Sequence, residues 1–191
     1  MSKKALCFGL EPYPVAGYSV DHCPLIEIVP LPFKEEEISA SHILFTSKTA
    51  VKLFPLSKKP VLAIGKGTAR EAEKKGFFVE KVADEETQEG ICSLLSMLPS
   101  LSIFWPRSDK ARTVLAQYCR AKKITLTECS IYTVTEKKVV LPDLSSYDAL
   151  FFTSPSTVEA FFALTPKIPP SIHLLSIGPV TQEMLSKYYF N

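Results

Sequence analysis

Two stretches far apart in this chain are built alike, and that repetition narrows its possible folds more than any other feature. Phe45, Thr46, Ser47, Val51 and Phe54 recur, in order and at one constant spacing, as Phe152, Thr153, Ser154, Val158 and Phe161. A second pair follows in each half: Ala63-Ile64-Gly65-Lys66-Gly67-Thr68 is echoed by Ser176-Ile177-Gly178-Pro179-Val180-Thr181. Two matches in the same order are hard to obtain by chance. Each unit has one grammar: a short apolar run, then small hydroxyl or glycine residues, then an amphipathic stretch. Apolar runs of about four to six residues read as buried parallel strands. Thr-Ser ahead of a helical pattern reads as an N-cap. Pro155 suits a first helical turn, where its missing N–H costs nothing, and Gly178-Pro179 opens a helix with Met184 and Leu185 on its apolar face. Strand–helix–strand–helix in each half predicts an α/β fold made of two similar parallel-sheet lobes.

Further strands are expected near 4–9, 24–29, 101–105, 125–134 and 148–153, and helices near 66–75, 87–98 and 109–122. The first strands precede the first Thr-Ser turn and have no counterpart just before the second. Residues 1–33 are therefore expected to join 134–191 in one discontinuous lobe, with 34–133 inserted as the other. Two chain crossings would form a two-stranded linker, with a cleft between the lobes.

Composition excludes several classes. The chain has 191 residues, 46% hydrophobic and 22% charged, at net +2; it can bury a real core but lacks the basic excess of a nucleic-acid coat. Glu35, Glu36 and Glu37 form the longest acidic block and read as a solvated face or helix start. The five cysteines are odd in number and show no Cys-x-x-Cys spacing, which argues against disulfides or zinc and for a reducing compartment. The basic start is followed by an apolar run too short for a signal peptide. Proline and charge interrupt every later apolar stretch before membrane-spanning length. A cytoplasmic protein with no membrane or nucleic-acid partner is expected.

Open α/β sheets bind ligands at the carboxyl ends of their strands. Both Thr-Ser turns and both Ile-Gly turns belong there. Helix N-termini expose unpaired N–H groups and attract carboxylate or phosphate. The expected binding set is Thr46, Ser47, Lys48, Gly65, Lys66, Thr68, Arg107, Ser154, Pro155, Ser156, Gly178 and Thr181, with Lys110 beside it. Its ligand would be a small molecule bearing several separated negative groups. Gly65-Lys66-Gly67 begins like a dinucleotide fingerprint, but Arg70 stands where glycine or alanine is wanted. No Walker loop, nucleophile elbow or metal-binding His pair is present, and His22, His42 and His173 are scattered. No metal or cofactor is expected. Tyr132 falls in the expected linker, where a phenol could protonate a leaving group or hold it by a hydrogen bond; a half-buried strand aromatic is the other reading.

The ordered set Phe-Thr-Ser, Ala-Ile-Gly-x-x-Thr-Ala, Ile131-Tyr132-Thr133, a second Phe-Thr-Ser and Ile-Gly-Pro-x-Thr resembles the uroporphyrinogen-III synthase family, over nearly the whole chain. The stretch Pro24-Leu25-Ile26-Glu27-Ile28-Val29-Pro30 is similar to that family's early strand. The resemblance implies two α/β lobes on a two-stranded linker. It also implies a monomeric lyase of haem biosynthesis that needs no cofactor. Such an enzyme closes the linear tetrapyrrole hydroxymethylbilane, a polycarboxylate, into uroporphyrinogen III, inverting the terminal ring with loss of water. By position in the motifs the family's tyrosine corresponds to Tyr132, and its cleft hydroxyls to Thr46, Ser47, Thr68, Ser154 and Thr181. Glu11 precedes Pro12 where the family often has a basic residue, and the chain's end at Asn191 implies a trimmed first lobe. The competing reading is a non-enzymatic two-lobed receptor for an anionic metabolite, which would not need Tyr132.

Overall fold

The computed structural model describes residues 3–34, 39–164 and 168–189, so the Glu35–Glu37 block lies outside the described residues. The elements run β1 (Lys3–Cys7), β2 (Tyr18–His22), β3 (Ile26–Pro30), β4 (His42–Phe45), α1 (Lys48–Leu53), β5 (Val61–Ala63), α2 (Lys66–Lys75), β6 (Val79–Val82), α3 (Gln88–Ser96) and β7 (Ser102–Ser108). They continue with α4 (Val114–Lys122), β8 (Thr125–Glu136), a 3-10 turn at Leu144–Ser146, β9 (Ala149–Phe152), α5 (Pro155–Leu164), β10 (His173–Ser176) and α6 (Pro179–Tyr189). The chain divides into two compact units, one of Met1–Ile28 with Val134–Asn191 and one of Val29–Thr133. The division falls inside β3 and β8, which are neighbours in one sheet.

The first unit carries a four-stranded sheet in the order β10-β9-β1-β2. All three of its strand pairings are parallel. Parallel strands normally need a helical crossover. Here residues 8–17 connect β1 to β2 without one. That loop is held by Tyr13 stacked on Phe151 at 5.4 Å and by His22 Nε2, which donates to the Gly9 carbonyl at 2.8 Å. Leu6, Phe8, Leu150, Phe152, Val158, Phe161 and Leu185 form the core. The second repeat motif thus becomes β9–α5–β10–α6.

The second unit carries a six-stranded sheet, β3-β8-β7-β4-β5-β6. β4 pairs in parallel with β5 and β7, β5 with β6, and β7 with β8. Successive side chains alternate faces. Leu44, Leu62, Ile103 and Trp105 pack with Ile91, Leu95, Leu115 and Cys119 of α3 and α4. On a second aromatic cluster, Phe45 and Phe104 meet Phe54. The first repeat motif is β4–α1–β5–α2. α1 stops at Leu53 because Pro55 forces Phe54 out of helical geometry, to φ −76° and ψ 136°. Lys75 Nζ then donates to the carbonyls of Val51, Lys52 and Phe54, which closes the open end of α1.

Three expectations need correction. The helix expected over 109–122 begins only at Val114. β7 runs on through Pro106 to Ser108, and the following amides are taken elsewhere: Asp109 N by the Tyr132 carbonyl, Lys110 N by Ser108 Oγ and Ala111 N by the Ser108 carbonyl. β2 and β6 were not expected as strands. They are the terminal strands of their sheets and present Tyr-Ser-Val-Asp-His and Val-Glu-Lys-Val, with no fully buried residue. A strand open on one side needs no apolar run.

Candidate functional site

In the second unit the expected residues gather at the carboxyl ends of the parallel strands. Ser47 caps α1 and accepts the Ala50 N–H at 3.0 Å. Its Oγ also lies 3.0 Å from the Tyr132 hydroxyl. Tyr132 is 7% exposed. Burial pushes its phenol above the ordinary tyrosine range; the Ser47 hydrogen bond works the other way, and the negative charge of Asp109 adds a smaller upward push. The group is held as O–H, a donor.

Thr46 has a different neighbour. Its Oγ1 accepts the Trp105 indole N–H at 2.9 Å, and Trp105 is fully buried. A buried indole N–H needs such a partner. Thr46→Val should therefore destabilise the second unit by about 1–3 kcal/mol, the cost of an orphaned buried donor. Trp105 is the chain's only tryptophan, so urea unfolding followed by its emission measures the loss directly. A Thr46→Val midpoint equal to that of the parent would remove the structural role.

Gly65 is the extended N-cap of α2 and provides no side-chain cap. The Glu86 side chain lies across it: a Cβ on Gly65 would stand 2.2 Å from Glu86 Cγ and 2.4 Å from Oε1. Lys48 is laid toward the same helix start, its Cε 3.1 Å from where a Cβ on Gly67 would sit. Lys48 and Lys66 are exposed, and neither makes an ion pair among the described residues. Thr68 is 7% exposed and packs within the unit.

Arg107 is engaged by its own unit. Its Nε lies 3.0 Å from Glu128 Oε2, an ion pair by distance without hydrogen-bond alignment. Nη1 donates to the Ser108 carbonyl at 2.8 Å, and the guanidinium covers the Trp105 ring at 5.2 Å. The pairing partner Glu128 and the neighbour Asp109 carried no motif in the sequence. Only the β7–β8 register, which sets Trp105 opposite Glu128 and Ser108 opposite Tyr132, brings them in.

In the first unit Ser154 and Thr157 exchange hydrogen bonds at the start of α5. Thr157 N donates to Ser154 Oγ at 3.4 Å, Ser154 N to Thr157 Oγ1 at 3.3 Å, and Thr157 Oγ1 to the Ser154 carbonyl at 2.7 Å. This is a reciprocal cap; Thr157, three residues after the expected cap, was the signal available for it. Pro155 opens α5 and Ser156 is half-buried. Gly178 precedes α6 with open space where a Cβ would go, and Thr181 is 3% exposed. A cavity of about 300 Å³ runs along β10 and α6, beside Ile172, His173 and Leu185. None of the expected site residues lines it.

No group of three or more His, Cys, Asp or Glu that could hold a metal occurs among the described residues. No helix among them is long and apolar enough to cross a membrane.

Comparison with known proteins places these features in one family. Residues 14–191 match the family profile described as uroporphyrinogen-III synthase HemD. A protein of Methanothermobacter thermautotrophicus named "Putative uroporphyrinogen-III synthase" is 27% identical over 173 residues, 76% of this chain and 68% of that one. The crystal structure of uroporphyrinogen-III synthetase from Helicobacter pylori superposes with a TM-score of 0.70 at 20% identity, covering 97% of this chain and 88% of the other. A mutant uroporphyrinogen III synthase from Thermus thermophilus gives 0.62 at 17% identity, over 97% and 89%. The profile spans nearly the whole chain and the solved structures share its α/β architecture: this chain belongs to the uroporphyrinogen-III synthase family.

Proposed function

We propose that this chain carries out its family's reaction with Tyr132 as the proton donor, closing hydroxymethylbilane to uroporphyrinogen III with inversion of the terminal ring and loss of water. The observation that carries the assignment of Tyr132 is its buried phenol, kept protonated and hydrogen-bonded to Ser47 at the carboxyl end of a parallel sheet. A group held as O–H can give a proton to the departing hydroxyl. The azafulvene left behind keeps its pyrrole N–H, so it is cationic and electron-poor. A pyrrole carbon attacks it, and the spirocyclic intermediate reopens and recloses with the ring inverted. The pyrroles supply the electrons, so the protein needs no nucleophile of its own. Its tasks are to fold the substrate, favour the spiro route and assist water loss.

The substrate's carboxylates are taken to meet the strand-end turns of both units: Thr46, Gly65 and Thr68 in one, Ser154, Pro155, Ser156, Gly178 and Thr181 in the other, while Ser47 faces Tyr132. Exposed Lys48 and Lys66 add positive charge to the first set. Arg107, already neutralised by Glu128, supports the Ser108–Asp109 turn beside Tyr132 and contributes little net charge. The protein is read as a cytoplasmic monomer acting on a linear tetrapyrrole without nucleic acid, membrane or cofactor.

The deciding experiment supplies hydroxymethylbilane from a coupled reaction and separates the two cyclic isomers. The expected product is predominantly the type III isomer, in excess of the spontaneous type I. A product mixture identical to the protein-free control would leave the non-enzymatic receptor as the better reading.

A further inference from the structure

We propose that Ser47 is a positioning residue that acts on the reaction through the Tyr132 hydroxyl, and not a direct contact for substrate. The inference rests on the reading of Tyr132 as the proton donor.

A serine hydroxyl has one hydrogen to give and two lone pairs to accept with. Ser47 Oγ has two partners among the described residues, the Ala50 N–H at 3.0 Å and the Tyr132 hydroxyl at 3.0 Å. The Ala50 amide can only donate, so it occupies one lone pair. The serine hydrogen is left for Tyr132. Before the reaction either hydroxyl can be the donor of the bond between them. Once Tyr132 has given up its proton, only Ser47 can be. The bond then becomes charge-assisted, shorter and roughly twice as strong. It therefore stabilises the state after proton transfer more than the state before it, which is the condition for lowering a barrier.

Both ends of this bond are fixed by the fold. Ser47 is held at the end of β4 by its capping bond. Tyr132 is held in β8, opposite Ser108 of β7, and its carbonyl accepts the Asp109 N–H at 3.1 Å. The Asp109 carboxylate opposes a phenolate, as does burial, whereas Ser47, its hydrogen-bond partner among the described residues, favours one. The step balances. The carbon–oxygen bond of the substrate breaks, the Tyr132 proton goes to the departing oxygen, and water leaves. The phenolate, held by Ser47 O–H, recovers a proton from the pyrrole carbon that loses one at ring closure.

The test uses Ser47→Gly and Ser47→Thr, each in the parent and in Tyr132→Phe. Glycine is an adequate N-cap, costing only a few tenths of a kcal/mol, so the helix start survives while the hydroxyl is lost. Threonine keeps both functions. The readouts are kcat, KM and the Tyr132 titration followed by ¹³Cζ-tyrosine NMR, assigned with Tyr132→Phe. Ser47→Gly should lower kcat about 10-fold, the equivalent of one unit of phenol acidity, move the Tyr132 titration upward and leave KM within about 2-fold. Ser47→Thr should restore both readouts. In Tyr132→Phe, Ser47→Gly should cause no further loss of kcat. A Ser47→Gly loss seated in KM, or equally large in the Tyr132→Phe background, makes Ser47 a substrate contact and overturns the proposal. The underlying reading fails separately: Tyr132→Phe alone would then leave turnover unchanged, whatever Ser47→Gly does to the phenol titration.

Discussion

Tyr132→Phe is expected to lower turnover by up to about 100-fold, the lower end of what a positioned proton donor contributes. The lower end applies because the substrate also cyclises unaided, so the barrier the enzyme must remove is modest. Loss of the hydroxyl also slows only the enzyme's route. Spontaneous closure then competes better, and the type III fraction should fall along with the rate. KM should change little, since the ring itself remains and fills the same buried space. The fold should lose only about 1 kcal/mol with the Ser47 hydrogen bond. The pH dependence follows from the direction of the phenol shift. Burial raises the Tyr132 pKa above its unfolded value, which is about 10. The protonated donor therefore persists through neutral and mildly alkaline solution. The alkaline fall in kcat due to this group should begin only beyond the ordinary tyrosine range. By the same linkage, the stability it contributes is fully present below the unfolded pKa and is lost as pH rises through the folded one. Single-turnover rates and isomer ratios for parent and Tyr132→Phe, from neutral pH to beyond the ordinary tyrosine range, together with urea midpoints over the same span, measure all of this. Equal rates and ratios would reduce Tyr132 to a packing residue.

How much of this arrangement could be read from the sequence depended on how local each cause was. The repeated Phe-Thr-Ser motif marked β4–α1 and β9–α5 because strand, cap and helix start are encoded within a few residues. The Ile-Gly motif did the same for the starts of α2 and α6. β2 and β6 escaped because a terminal strand is stabilised by one neighbour and needs no apolar signature. The site was legible as residue types at turns, but not as partnerships. Ser47 and Tyr132 are 85 positions apart, and no periodicity joins them. Thr46 looked like the twin of Ser47, yet it serves the indole of Trp105. Arg107 looked like a free cation until the β7–β8 register placed Glu128 within reach. Glu86 gave no sign that it would lie across Gly65. Residue identity announces what a side chain can do; only packing decides whether a neighbour has already claimed it.

Phe54→Ala should be the most destabilising of these substitutions. Phe54 is fully buried in the second unit, directly after α1. Its ring stacks on Phe33 at 5.5 Å and 12°, meets Phe45 edge-on at 5.7 Å, and tilts against Phe104 at 5.7 Å. Truncating such a side chain costs about 3–5 kcal/mol, made up of the lost transfer energy and the cavity left behind. The upper half of that range is expected, because three aromatic neighbours cannot all relax into one hole. The stability of a whole domain is only about 5–15 kcal/mol, so about a quarter of it or more would go. Phe54→Leu keeps most of the volume and should cost less than about 1.5 kcal/mol if the neighbours repack. The contrast between the two separates cavity formation from any particular need for an aromatic ring. Trp105 lies in the same unit, so its emission in a urea titration reports the relevant transition. A lower midpoint at unchanged slope is expected for Phe54→Ala. The substitution should also reach the site. Phe54 N donates to the Ala50 carbonyl at 2.9 Å, and Ala50 N in turn bonds Ser47 Oγ. Loosening the end of α1 therefore loosens the residue that holds Tyr132. Turnover measured well below the unfolding transition should fall further for Phe54→Ala than for Phe54→Leu. A Phe54→Ala protein within about 1 kcal/mol of the parent would mean that the aromatic cluster closes over the gap, which the close packing of protein interiors argues against.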